Sequence, residues 1–294
     1  MIEDGEQMKV HLDNLVVFKE NRKYVFPLSD IGVIVLDGLK TTITSRLLSS
    51  MSKYNVCLVI NDNKHLPCGI YTPFNQHSRV TKVLREQIEW DEIRKAEVWR
   101  DIIKNKINNQ IRILELHKID DDAVDKLNIH RDSVKLMDSS NREAHSARVY
   151  FKALFGKDFC RSDLDITNAI LNYGYTIFRA YISRLIVSHG LNPSIGINHK
   201  SEYNNFCLSD DIIEIFRPIV DSYAYKKIYD SNEEIEYMTS HIRFELLDLL
   251  SSRINLFGRK VKVSTAMDQV LSEILKSLKN GSLRNLDFNF DEAD

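Results

Sequence analysis

Three positions in the second half of the chain carry side chains that could do metal chemistry together. They are Glu143, in Ser140-Asn141-Arg142-Glu143; His199, ending Gly190-Leu-Asn-Pro-Ser-Ile-Gly-Ile-Asn-His199; and Glu214, in Asp210-Asp211-Ile-Ile-Glu214. Two carboxylates and one imidazole suit magnesium or manganese, with positions left over for water and phosphate oxygens. The same set makes a poor structural zinc site, which favours thiolates and a closed shell.

Each position also has a plainer explanation. Ser-x-x-Glu is the capping-box pattern, in which Glu143 would only satisfy a backbone donor at a helix start. Against that, Ala147 and Tyr150 stand at i+4 and i+7, so Glu143 lies beside the apolar stripe of its helix. His199, delivered from a loop after Gly190 and Pro193, is as a lone histidine more often structural than a ligand. Asp210 behind Ser209 complements a helix dipole, an argument that weakens for Glu214 further in. Asp211 and Glu214, three apart, share a helix face. Pro218 has no N–H to donate to Glu214, so the helix is expected to bend beside that carboxylate.

The elements that must hold these residues come in two styles. Runs at 14–18 and 24–26 predict a hairpin, residues 32–36 and 56–60 buried strands, 45–54 a helix, and 68–71 a last strand. From about Ser78 the spacing becomes helical, with Val80, Leu84 and Ile88 followed by Ile93, Val98, Ile102, Ile103 and Ile107. The expected class is α+β: a small amino-terminal strand-rich domain over 1–75, then a larger all-helical domain over 76–294. The apolar run 166–187 is interrupted by Arg179 and Arg184, which marks a core helix and not a membrane span. Four scattered cysteines without a CxxC pair read as free thiols, consistent with a cytoplasmic protein. Forty basic residues against 42 acidic ones exclude a histone-like cationic binder but leave room for a local positive face. Arg79, Lys82 and Arg85 are candidates for part of it, or else an ordinary solvated face.

Several blocks together resemble the Cas1 (Cas-one) integrase of CRISPR adaptation, closest to its type II branch. Asn-Arg-Glu143-Ala-His-Ser-Ala-Arg-Val-Tyr-Phe is similar to the first metal-ligand segment of that family. Leu-Asn-Tyr-Gly-Tyr175-Thr and then Gly190-Leu-Asn-Pro-Ser-Ile-Gly resemble the run before its ligand histidine. Asp211-Ile-Ile-Glu-Ile-Phe-Arg-Pro218-Ile-Val-Asp221 resembles its last ligand segment, except that Ile215 replaces an expected proline. The blocks stand in family order and the likeness spans nearly the whole chain.

The resemblance implies metal ligands at Glu143, His199 and Glu214, also the catalytic set, with Mg2+ or Mn2+ as cofactor and Asp211 as an acidic neighbour. It implies a homodimer that joins the smaller Cas2 (Cas-two) protein and other type II adaptation proteins on double-stranded DNA, away from any membrane. The implied activity is insertion of short foreign DNA into a CRISPR array, a terminal 3′-hydroxyl attacking a phosphodiester in line. Two other readings stay open on the residues alone: a metal-dependent repair nuclease without integration, and a non-catalytic nucleic-acid scaffold.

Overall fold

The computed structural model describes residues 1–3, 7–20, 22–73, 77–230 and 235–280. The chain divides into two compact units, Met1–Ile88 with Arg179–Pro193, and Glu89–Phe178 with everything from Ser194 onward. The class is α+β, strand-rich first and mostly helical afterwards.

The first unit contains β1 (Gln7–His11), β2 (Asn14–Lys19), β3 (Arg22–Pro27), β4 (Val33–Leu36), β5 (Thr42–Ile43), α1 (Ser45–Lys53), β6 (Cys57–Asn61), β7 (Pro67–Tyr71) and α2 (Val80–Ile88). They form a four-stranded sheet in the order β3-β2-β1-β5 and a three-stranded sheet in the order β4-β6-β7. The expected hairpin is β2–β3, with Val16 opposite Val25. Strand β1 adds a third antiparallel strand that its polar residues conceal in the sequence. Met8, Leu15, Val17, Leu47 and Met51 make the core. Helix α1 starts at Thr44, whose hydroxyl accepts from the Leu47 amide at 3.3 Å, a side-chain N-cap. Buried Gln87 pins the exit of the long helix by two bonds to the Asn192 backbone, 2.9 and 2.8 Å.

The second unit is organised on α3 (Glu92–Leu116), against which α4 (Asp121–Asp132) and α5 (Arg142–Phe155) pack. Helix α6 (Ile166–Ser188) gives its residues up to Phe178 to this unit and the rest to the first. Then come α7 (Cys207–Ile213), α8 (Arg217–Tyr225), which runs on into a π-turn over Lys226–Asp230, α9 (Ser240–Asp248), the hairpin β8–β9 (Arg253–Leu256, Arg259–Lys262) and α10 (Val263–Asn280). The hairpin is a departure from an all-helical remainder. Its strands are four residues each, too short for period-2 alternation to stand out beside the long helices. No helix among the described residues is long and apolar enough to cross a membrane. The four cysteines are free.

Helix α6 approaches α8 and α9 closely at Gly174. A Cβ there would lie 2.5 Å from Val220 Cγ1 and 3.1 Å from Leu246 Cδ2. Overpacking of this kind costs about 1–3 kcal/mol. Gly174→Ala is therefore expected to lower the urea unfolding midpoint without changing the m-value, and an unchanged midpoint would show that the packing relaxes freely.

Candidate metal centre

All the candidate ligands lie in the second unit. Glu143 is in the first turn of α5, but it does not cap the helix. The carboxylate of Asp138 takes that place, accepting from the backbone amides of Arg142 at 2.8 Å and Glu143 at 2.9 Å. Asn141, in a left-handed conformation with φ 51°, makes no side-chain cap bond. The capping-box expectation fails because Asp138, three residues upstream of Asn141, takes the first-turn amide that the Ser140 side chain would have held, and Glu143 is drawn to Lys106 instead. Released from that duty, Glu143 turns inward and its Oε1 accepts from Lys106 Nζ at 2.7 Å.

Glu214 lies where the chain breaks between α7 and α8. The sequence suggested one bent helix; instead the Phe216 amide bonds Ile213 O at 2.8 Å and a new helix starts with Pro218 in its first turn. Proline is suited to that position, since a first-turn N–H has no intrahelical partner to lose. The buried Glu214 carboxylate accepts from Arg217 Nε at 2.9 Å through Oε1, while Oε2 pairs with the same Lys106 ammonium that holds Glu143. Burial alone would raise the Glu214 carboxyl. Arg217 first and Lys106 second reverse that and hold it well below the ordinary carboxylate range. The Ile215 carbonyl accepts from Asn109 Nδ2 of α3 at 3.0 Å, which ties the break to the helix that carries Lys106.

His199 is positioned by Asp211. That carboxylate, fully buried, accepts from the backbone amides of Ile197 at 2.5 Å, Asn198 at 3.2 Å and His199 at 3.1 Å, and from His199 Nδ1 at 2.8 Å. With Nδ1–H committed to Asp211, the neutral imidazole presents the lone pair of Nε2, the usual arrangement behind a metal-bound histidine. The bond to Asp211 also raises the His199 pKa. Trp99 of α3 meets the imidazole edge-on, ring centroids 5.8 Å apart. Gly196 makes the loop possible: a Cβ on it would lie 2.5 Å from the His199 carbonyl and 2.7 Å from Asp211 Oδ2.

Glu143 and Glu214 thus converge on one cation, and His199 is anchored through Asp211. Among the described residues, no group of three or more His, Cys, Asp or Glu side chains is arranged to hold a metal ion. The position where the two carboxylates meet does suit a hard cation, because an ammonium already fills it and both donors are oxygens. Sequence reasoning passed over Lys106, Asp138, Arg217 and Trp99. The legible signal was at Lys106, a lysine set between Ile103 and Ile107 in an apolar stripe.

Behind the centre is a buried polar chain. The Arg217 guanidinium lies 4.5 Å from the Tyr175 ring centroid, and the Tyr175 hydroxyl donates to Asp221. Burial pushes the Asp221 carboxyl up to about 7, against restraint from Tyr175 and Arg217.

Comparison with known proteins agrees with this architecture. The family model for CRISPR associated protein Cas1 matches residues 1–235. A CRISPR-associated endonuclease Cas1 of Neisseria meningitidis serogroup C is 31% identical over 286 residues, covering 97% of this chain and 93% of that protein. Among solved structures, a casposase bound to integration product superposes with TM-score 0.77 at 20% identity, covering 100% of this chain and 93% of that one. A Cas6-RT-Cas1–Cas2 complex gives TM-score 0.73 at 18% identity, covering 99% of this chain and 36% of the other. These two share the fold. The chain belongs to the Cas1 family.

The raised Asp221 carboxyl has a defined sign in the pH dependence of stability. A folded value near 7 against an ordinary 3.8 means the folded protein holds a proton the unfolded chain has lost. That contribution is complete below pH 3.8 and lost as pH rises through 7. Relative to Asp221→Asn, the wild type should therefore lose stability between pH 4.5 and pH 7.5, on the order of 1 kcal/mol per pH unit. Urea titrations of both proteins across this range measure it, and parallel profiles would refute the assignment.

Proposed function

We propose that this protein is a metal-dependent DNA integrase and endonuclease of CRISPR adaptation, with Glu143, His199 and Glu214 as ligands of Mg2+ or Mn2+. The observation that carries the reading is the convergence of Glu143 and Glu214 on one cation position beside a histidine whose Nδ1 is fixed by Asp211. The Neisseria relative is named an endonuclease, and the casposase of the same fold is captured on an integration product. Both activities need one site, since a 3′-hydroxyl or a water can attack the same phosphodiester.

Bound there, the ion would neutralise phosphate charge and favour deprotonation of the attacking hydroxyl. The protein supplies position. Glu143 and Glu214 fix the ion from two helices, Asp211 aims His199, and Arg217 keeps Glu214 ionised although it is buried. Double-stranded DNA and the Cas2 protein are the partners, the second because a Cas1–Cas2 complex contains this fold. Arg79, just before α2, and Lys82 and Arg85 on it are exposed and could meet a DNA backbone. Of the acidic clusters in the sequence, Asp120, Asp121 and Asp122 serve the start of α4, where the Asp120 side chain accepts from the Ala123 amide. Glu233, Glu234 and the tail from Gly281 lie outside the described residues.

Glu143→Gln decides between ligand and bystander, because Asp138 leaves the helix cap intact. With a free-ended DNA fragment, a supercoiled target and Mn2+, the wild type should give branched products. Glu143→Gln and His199→Ala should give none while remaining folded. Nicked circles without branches from the wild type would favour the repair-nuclease reading, and normal integration by either variant would remove that residue from the site.

We also assign dimerisation to the strand-rich region, 1–75, as distinct from a catalytic region over 76–294. Strand β3 is one edge of the four-stranded sheet, all six of its residues are exposed, and Tyr24, Val25 and Phe26 present large apolar side chains to solvent. Such an edge pairs with another chain unless it is covered. Val25→Lys with Phe26→Lys should convert a dimer to a monomer in sedimentation at micromolar concentration. A dimer of undiminished strength would place the interface elsewhere.

A further inference from the structure

Lys106 is a lysine in the interior, its side chain 8% exposed, halfway along α3. Burying an ammonium is costly unless it is paired, and a buried ion cluster replaced as a whole by well-packed apolar residues usually serves the fold as well or better. Stability alone is therefore a weak reason for Lys106. Its position supplies a stronger one. The Nζ contacts Glu143 Oε1 and Glu214 Oε2 together, one oxygen from each carboxylate of the candidate centre.

We propose that Lys106 is an internal counter-cation of the metal centre: its ammonium holds Glu143 and Glu214 at a common point in the metal-free protein and leaves that point when a divalent ion enters. The inference rests on the reading of Glu143 and Glu214 as metal ligands, and it adds a positioning residue that competes with the metal.

The geometry favours the exchange. An ammonium sits 2.7 Å from Glu143 Oε1, whereas Mg2+ takes its oxygen ligands at about 2.1 Å. Both cations cannot lie between the same two oxygens. The helix cannot carry the lysine away, because Asn109, three residues on, donates at 3.0 Å to the carbonyl of Ile215 beside Glu214. The stem of Lys106, with four flexible carbons, is the part free to withdraw. Arg217 cannot take the same role, since it is bound to the other oxygen of Glu214 and stacked on Tyr175. Two carboxylates without Lys106 would repel one another in the metal-free state and attract a divalent ion more strongly in the loaded one.

The test is Mn2+ binding, followed by electron paramagnetic resonance of the free ion, in the full-length wild type, Lys106→Met and Glu214→Gln. Lys106→Met should bind Mn2+ at least about ten-fold more tightly, since a competing unit charge has gone. Its melting temperature should be lower than wild type without metal and should rise more on adding Mn2+. A lysine that only braces the fold predicts the reverse, a damaged site and weaker binding. Equal or weaker binding by Lys106→Met overturns the proposal. Lys106→Gln serves if the methionine variant is insoluble. A second readout uses the wild type alone: acetylation of Lys106 by an amine-reactive ester, read by mass spectrometry, should increase several-fold with Mn2+ as the ammonium is released. Unchanged or reduced labelling also overturns it. Glu214→Gln separates this failure from the larger one. If it abolishes Mn2+ binding while Lys106→Met gains nothing, only the role of Lys106 falls. If it leaves binding intact, the ligand assignment falls and this inference with it.

Discussion

Two ionised carboxylates brought together repel one another unless a positive charge lies between them, and the second unit meets that requirement with Lys106. Glu143 comes from the start of α5 and Glu214 from the break between α7 and α8, 71 positions along the chain. Lys106 of α3 is the one side chain that touches both among the described residues. At the separations involved, unlike charges attract by several kcal/mol even in a partly screened interior, and like charges repel by as much. The central helix therefore acts as more than an apolar spindle. It supplies Lys106 to the carboxylates, Asn109 to the Ile215 carbonyl and Trp99 to the histidine edge.

A spacing of three distributes the work on the other side. Asp211, Glu214 and Arg217 recur at i, i+3 and i+6, yet each meets a different environment because the helix ends between the first and the last. Asp211 faces the loop and collects three backbone amides and an imidazole N–H, so its oxygens are committed to shaping the loop. Glu214 falls in the break, buried, and it pairs with Lys106. Arg217 opens α8 and returns charge to Glu214. Had Pro218 allowed an unbroken helix, the three would line one ridge and could not point at three different partners. The break creates the site.

How much of this the sequence disclosed follows from what each signal measures. Apolar runs and their periodicity located β2, β3, β4, α1, β6, β7 and the helices α2, α3, α5 and α6. It missed β1, where Gln7, Lys9 and His11 dilute the pattern, and it missed the short β8–β9 hairpin. The positions Glu143, His199 and Glu214 were legible as residue types with suitable spacing. Their supports were not. That Asp138 would cap α5 depended on Met137 and Asn141 adopting positive φ, and nothing in their side chains demanded it. That Lys106 would reach both carboxylates depended on how α3, α5 and α7 pack, which is a property of three segments and not of one. The sequence spacing of Asp211 and Glu214 told of a shared face, but not that one would serve the loop and the other the cation.

The same supports bear on the choice between an enzyme and a passive scaffold. A scaffold would need Glu143 for a helix cap and His199 for a loop. The cap belongs to Asp138, so the first need is absent, and the loop is held chiefly by Asp211 through backbone amides, which would hold it as well around an alanine at 199. What remains after those duties are assigned is a buried acid, a half-exposed acid, a buried lysine and an imidazole with its outer nitrogen free. Buried ion pairs are seldom a fold's best source of stability, since apolar residues of similar volume usually do as well. An interior that retains them, beside a backbone loop closed over Gly196 to aim one histidine, supports the proposed cation site over the passive scaffold.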